Sequence, residues 1–158
     1  MKGAAPIIEV LNRMLTIELT AINQYFVQSK MCKNWGYRKL AKKHWDEAME
    51  EMRHADKLIE RILFLEGIPN ISRYDVIRVG ETVPKHFEND LALERDGVAV
   101  YNEGISLCVE KKDAGSRELM EHILQESENH VDWLESQIHM VEEVGLPNYL
   151  SEQIGAPS

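Results

Sequence analysis

Two segments of the chain set an imidazole three residues after an oxygen-bearing side chain: Glu51-x-x-His54 and Ser127-x-x-His130. On a helix, residues three apart project from the same face, so each segment presents two donors in one direction. Two further glutamates, Glu18 and Glu94, interrupt apolar stripes, the first between Leu15 and Ile22 and the second between Leu91 and Val98. A carboxylate at such a position is costly to bury without a neutralising partner, and a cation is one such partner. Carboxylate oxygens with a single imidazole per ion suit iron or manganese, and also permit zinc. A carboxylate shared between two ions damps their repulsion, and terminal carboxylates favour the ferric state. Two adjacent irons can then pass two electrons to O₂ or peroxide. The candidate metal ligands, and the candidate catalytic set, are Glu18, Glu51, His54, Glu94 and His130.

Four long helices can position these residues. Apolar periodicity places them at about 6–34, 38–66, 84–111 and 114–144, with a short helix at about 148–154. Gly67 with Pro69, and Gly145 with Pro147, supply stop signals. Residues 67–82 form the one long connection, in which Val76, Ile77 and Val79 could lie extended. Short links join antiparallel neighbours, while the long one can carry the chain back along the bundle. The whole chain, 1–158, therefore reads as a single all-α domain, a four-helix bundle with one long crossover.

The two halves repeat. Glu18 and Glu94, Tyr25 and Tyr101, His54 and His130, and Leu58 and Leu134 are each separated by 76 residues (94 − 18, 101 − 25, 130 − 54 and 134 − 58). One Glu from each of two helices, with Glu-x-x-His from each of the other two, is the donor set of di-iron carboxylate bundles. Five of its six positions match; at the sixth, Ser127 stands opposite Glu51. A serine offers no anionic bridge. Its neighbours Glu126 and Glu128 each point about 100° away around the helix, so neither replaces it without distortion.

A net charge of −9 argues against a nucleic-acid partner and favours cations. No apolar run reaches the roughly 18 residues of a membrane span, and MKGAAPIIEVLNRML lacks the apolar core of a secretion signal. Cys32 and Cys108 are isolated within helical patterns and read as free buried thiols of a reducing compartment. The cytoplasm is the expected location.

The stretches ELTAINQYF, EEMRHADKLIERILFLEGIPN, HVDWLE and GLPNYL, together with the opening MKG, resemble the bacterioferritins over nearly the whole chain. The resemblance implies a ferritin-like fold and a hollow shell of twenty-four subunits built from twofold dimers. It further implies iron stored inside as a ferric mineral and Fe²⁺ oxidised by O₂ or peroxide at an intrasubunit di-iron centre. It implies haem b between paired subunits, with Met52 as the axial ligand from each. Haem would carry electrons to the mineral for iron release, with a bacterioferritin-associated ferredoxin as the partner. Asp46 and Glu50 fall near the family's inner-surface iron position, with Asp46 where a histidine is usual. Ser127 departs from the family pattern and leaves two expectations open. In one, five protein ligands sustain ferroxidase activity. In the other, the chain is a haem-carrying subunit of a mixed shell that relies on a competent second subunit type. A rubrerythrin-like peroxidase is disfavoured by the absence of a C-x-x-C pair. A metal-free bundle would bury Glu18 and Glu94 without partners.

Overall fold

The computed structural model describes residues 1–157 and contains α1 (Ala5–Trp35), α2 (Arg38–Phe64), α3 (Val83–Lys111), α4 (Ala114–Val144) and α5 (Leu146–Ser151). No strand occurs among the described residues, so the Val76–Val79 stretch joins no sheet. Among the described residues no helix is long and apolar enough to cross a membrane.

The boundaries follow local chemistry. Pro6 opens α1, and Gly36, at φ 90°, takes the left-handed conformation that ends it. Thr82 caps α3 by accepting from the Lys85 N–H at 3.3 Å, and Asp113 caps α4 by accepting from the Ser116 N–H at 3.0 Å. α2 ends at Phe64, two residues before the Glu66 expected from the Gly67 stop, because Glu66 itself turns left-handed at φ 64°. The short helix begins and ends earlier than 148–154. Pro147 sits in its first turn, where a missing N–H costs nothing.

α1 packs along α2, α3 packs along α4, and α1 and α3 meet across the bundle. Ile7, Leu11, Met14, Leu15, Leu58, Ile62, Tyr101 and Met120 form the main apolar core towards one end, and Leu40, Phe87, Leu91 and Leu134 a second towards the other. The polar centre lies among them.

The crossover is strapped to α1. Asn12 donates to the Ile68 carbonyl and accepts from the Asn70 N–H, Thr20 accepts from the Asp75 N–H, Gln24 accepts from the Arg78 N–H, and Gln28 donates to the Val79 carbonyl. With Thr16, these side chains recur every fourth position along one face of α1. Thr16 donates to the Asn12 carbonyl within α1, and the other four satisfy backbone groups of an irregular segment that has no ladder of its own.

Candidate functional site

The four long helices bring all five sequence-derived ligand candidates into one buried cluster. Glu18, Glu51, His54, Glu94 and His130 are each no more than 5% exposed. On one side, His54 Nδ1 lies 3.2 Å from Glu51 and 3.5 Å from Glu18 Oε2. On the other, His130 Nδ1 lies 2.9 Å from Glu94 Oε1. Glu51 belongs to two sets whose donor atoms lie within 4.8 Å of one another, one with Glu18 and His54, the other with Glu47 and His130. It is thus placed to serve both.

Two tyrosines cross-brace the terminal carboxylates. Tyr101 donates to Glu18 Oε1 at 2.7 Å, and Tyr25 donates to Glu94 Oε1 at 2.6 Å. Each bond joins the two repeats, since tyrosine and carboxylate come from opposite halves. Burial, reinforced by Glu94 at Tyr25 and Glu18 at Tyr101, holds both phenols well above their ordinary value, so they remain donors.

Burial raises the Glu18 carboxyl above the usual range, against the opposing pull of His54 and Tyr101. Its Oε2 is buried with no hydrogen-bond partner. Burial also opposes charge on His54, but Glu18 and Glu126 outweigh it and hold the imidazole up to about 9. His130 is likewise raised, with Glu94 overcoming the effect of burial. A buried carboxyl oxygen without a hydrogen-bond partner, beside imidazoles held by carboxylates, is a donor set that cations can satisfy. The donor chemistry therefore fits two hard or borderline cations.

Ser127 is buried at the position the repeat gives to Glu51. Glu126 does not take over its role. It bonds to His54 Nε2, on the far side of the ring from Glu18 and Glu51, and also meets His122 at 3.0 Å. Glu128 is exposed. The residue that sequence reasoning missed is Glu47, one turn before Glu51 on α2. Its Oε2 lies 3.6 Å from His130 Nδ1, and its other oxygen is held by Lys43 at 2.8 Å. The spacing 47–51 signals a shared helical face, but the counterpart of Glu47 in the repeat is Ile123 (123 − 47 = 76), so a symmetry comparison passes over it.

Asp46 and Glu50 line an open cavity with Glu47, Glu126 and His130. Asp46 is half exposed and paired with Lys42 at 2.6 Å; Glu50 is paired with Arg53. Glu50 is pulled down to about 2, first by its hydrogen bond with Glu126 and further by Arg53. Met52 is 50% exposed on α2, seven residues after Trp45, whose ring lies 5.4 Å from that of Phe26; both rings are 39% exposed.

The ferritin-like domain family matches residues 8–144 of the chain. A Bacterioferritin of Mycobacterium leprae is 42% identical over 157 residues, covering 99% of both chains. A Bacterioferritin of Rhodobacter capsulatus is 46% identical over 145 residues, covering 92% of this chain and 90% of that one. The chain belongs to the bacterioferritin family of ferritin-like proteins.

Proposed function

We propose that the chain is an iron-storage subunit that takes up Fe²⁺ and oxidises it at the Glu18, Glu51, His54, Glu94 and His130 centre, with Glu47 supplying the carboxylate that Ser127 cannot. The observation that carries this reading is the sharing of Glu51 between two buried donor sets, one of which includes Glu47. Two Fe²⁺ each give up one electron. O₂ that accepts both, with two protons, leaves hydrogen peroxide; peroxide that accepts two electrons and two protons leaves two waters.

The chain's own residues prepare the exchange. In the neighbouring cavity Asp46, Glu47, Glu50 and Glu126 outnumber Lys43 and Arg53, and the excess of carboxylates favours Fe²⁺. His54 releases its proton as the cation enters. Tyr25 and Tyr101 fix which oxygens of Glu94 and Glu18 face inward. Glu126 holds His54 Nε2, leaving Nδ1 directed at Glu18 and Glu51.

The proposal extends to a shell of twenty-four subunits assembled from twofold dimers, in the cytoplasm. Met52, half exposed, would offer its thioether to haem b held between paired subunits. Haem would supply one-electron transfer towards the stored ferric iron, with a bacterioferritin-associated ferredoxin as donor. Ser127 favours one second reading, a haem-carrying subunit in a mixed shell.

Stopped-flow oxidation at about two Fe²⁺ per subunit separates the two. A fast saturating phase in the homomeric protein, lost in Glu47→Gln, supports the complete centre. A rate near that of buffer, rescued by Ser127→Glu, refutes it in favour of the mixed shell.

A further inference from the structure

A second buried cluster, apart from the proposed iron centre, has no role in the reading above. Cys32 of α1, His44 of α2, and His86 and Asp90 of α3 meet within the second apolar core. All four are fully buried. One donor atom from each of Cys32, His44 and His86 lies within 4.8 Å of the others. Cys32 Sγ is 3.8 Å from His86 Nδ1, and His44 Nδ1 is 3.7 Å from Asp90 Oδ2. Metal bonds of about 2.0–2.3 Å in a tetrahedron require donor separations of about 3.3–3.8 Å. Two of the edges already have that length.

The outer contacts aim the donors inward. The Gly80 carbonyl only accepts, so His86 Nε2, 3.1 Å away, carries the proton and donates to it. The lone pair of the neutral ring is then on Nδ1, facing Cys32. Asp90 Oδ1 accepts from Gln24 at 2.8 Å, which leaves Oδ2 facing His44. Second contacts of this kind orient the ligands of bound metals. The inner atoms are unsatisfied: both ring nitrogens of His44 and Asp90 Oδ2 are buried with no hydrogen-bond partner. Polar atoms left without a partner at full burial are costly.

The other end of the bundle shows that the fold does not require these residue types. Cys108, Met120, Val10 and Met14 occupy the corresponding positions (108 − 32, 120 − 44, 86 − 10 and 90 − 14 are each 76). There Cys108 Sγ contacts Met120 Sδ at 3.6 Å, and Met14 and Val10 pack in the main core. Beside a thiol common to both ends, the other three positions are filled at one end by apolar side chains and at the other by two imidazoles and a carboxylate.

We propose that Cys32, His44, His86 and Asp90 form a structural site for a four-coordinate divalent ion of the Zn²⁺ class. One thiolate, two imidazoles and one carboxylate are a borderline donor set that suits zinc. The thiol proton leaves to solvent on binding. The ion would tie α1, α2 and the first two turns of α3 together where the crossover arrives.

Co²⁺ serves as the probe, because a cobalt–thiolate bond gives a near-ultraviolet charge-transfer absorption that carboxylates and imidazoles do not. The intact assembled protein, stripped with chelator, is titrated with Co²⁺ and then with Zn²⁺. The expected result is a saturable thiolate band at one ion per subunit, displaced by Zn²⁺. The band persists in Glu51→Gln and in Cys108→Ser, and is lost in Cys32→Ser, with Co²⁺ affinity falling more than about 100-fold. As the chain has two cysteines, persistence in Cys108→Ser alone assigns the band to Cys32, even if Cys32→Ser fails to fold. No thiolate band in the wild-type protein, or a band that disappears in Cys108→Ser, overturns the proposal.

Discussion

The two halves of the bundle solve the same problem with different residues. The first half offers Glu18, Glu51 and His54, and its imidazole is held from behind by Glu126. The second offers Glu94 and His130 with Ser127 between them in sequence, and its imidazole meets Glu47, a residue of the first half. The backbone repeat is regular, but the donor set is not: α2 contributes Glu47, Glu51 and His54, and α4 contributes His130 alone. A carboxylate beside His130 thus comes from α2 rather than from α4, and Lys43 holds it in place.

Removing the residue common to both sides tests the comparison most severely. Glu51→Gln keeps the shape and hydrogen-bonding capacity of the side chain but not its charge. We expect Fe²⁺ oxidation in stopped flow to fall on the order of 100-fold or more, with circular dichroism and assembly unchanged. An active Glu51→Gln would mean that the two donor sets work independently.

Glu47→Gln comes next and bears on the asymmetry itself. Loss of about 10–100-fold in binding at the His130 side is expected, with the Glu18 side retained, so calorimetry should show one tight Fe²⁺ per subunit in place of two. Adding Ser127→Glu to Glu47→Gln should restore the second. If Glu47→Gln binds two ions as tightly as the parent, Glu47 is a surface ion-pair residue and the centre has five ligands.

A smaller effect is expected at His54. Its imidazole, held up to about 9, must lose its proton before it can ligate. Metal binding therefore releases a proton and strengthens as pH rises towards about 9. For the metal-free protein the sign is opposite. A folded-state value above the ordinary 6.5 contributes stability that is present below 6.5 and is lost as pH climbs through about 9. Glu126→Gln removes one of the carboxylates that raise His54, so both pH dependences should move to lower pH, with an affinity change of about 10-fold. Proton release measured at two pH values checks it: no change in the variant would mean that Glu126 does not set the ring's charge.

The bundle, the crossover and the clustering of the five candidate ligands were legible because each leaves a periodic trace. Glu18 and Glu94 break apolar stripes, Glu51 and His54 share a face, and a constant offset links the halves. Less legible were groups whose meaning is set by what lies opposite. Glu47 lies in an acidic run of α2, and only the His130 ring across the bundle distinguishes it from a solvated face. His44 lies on α2 and His86 with Asp90 on α3, so no local spacing joins them to Cys32 on α1. The column from Asn12 to Gln28 reads as a polar stripe, and its partners are backbone groups of a segment with no pattern of its own. The early end of α2 escaped for a local reason. Gly67 signals the stop, but Glu66 makes the left-handed turn.

The tyrosine pair yields the smallest effect and the sharpest contrast between the halves. Tyr101→Phe removes the donor to Glu18 Oε1 and leaves a buried carboxyl whose other oxygen already lacks a hydrogen-bond partner. Tyr25→Phe removes the donor to Glu94 Oε1, but that oxygen keeps His130 at 2.9 Å. A hydrogen bond to a charged group contributes about 1.5–3 kcal/mol, and the remaining partner decides how much of it is forfeited. Tyr101→Phe should therefore destabilise the metal-free protein towards the upper end of that range, and Tyr25→Phe towards the lower. It should also raise Glu18 further, because the Tyr101 bond is one of the influences that lower it. Fe²⁺ binding then shifts to higher pH in Tyr101→Phe and little in Tyr25→Phe. Chemical denaturation with chelator present, beside binding at two pH values, reads both effects. Equal losses in the two variants would mean that the two sides of the centre are electrostatically alike despite Ser127.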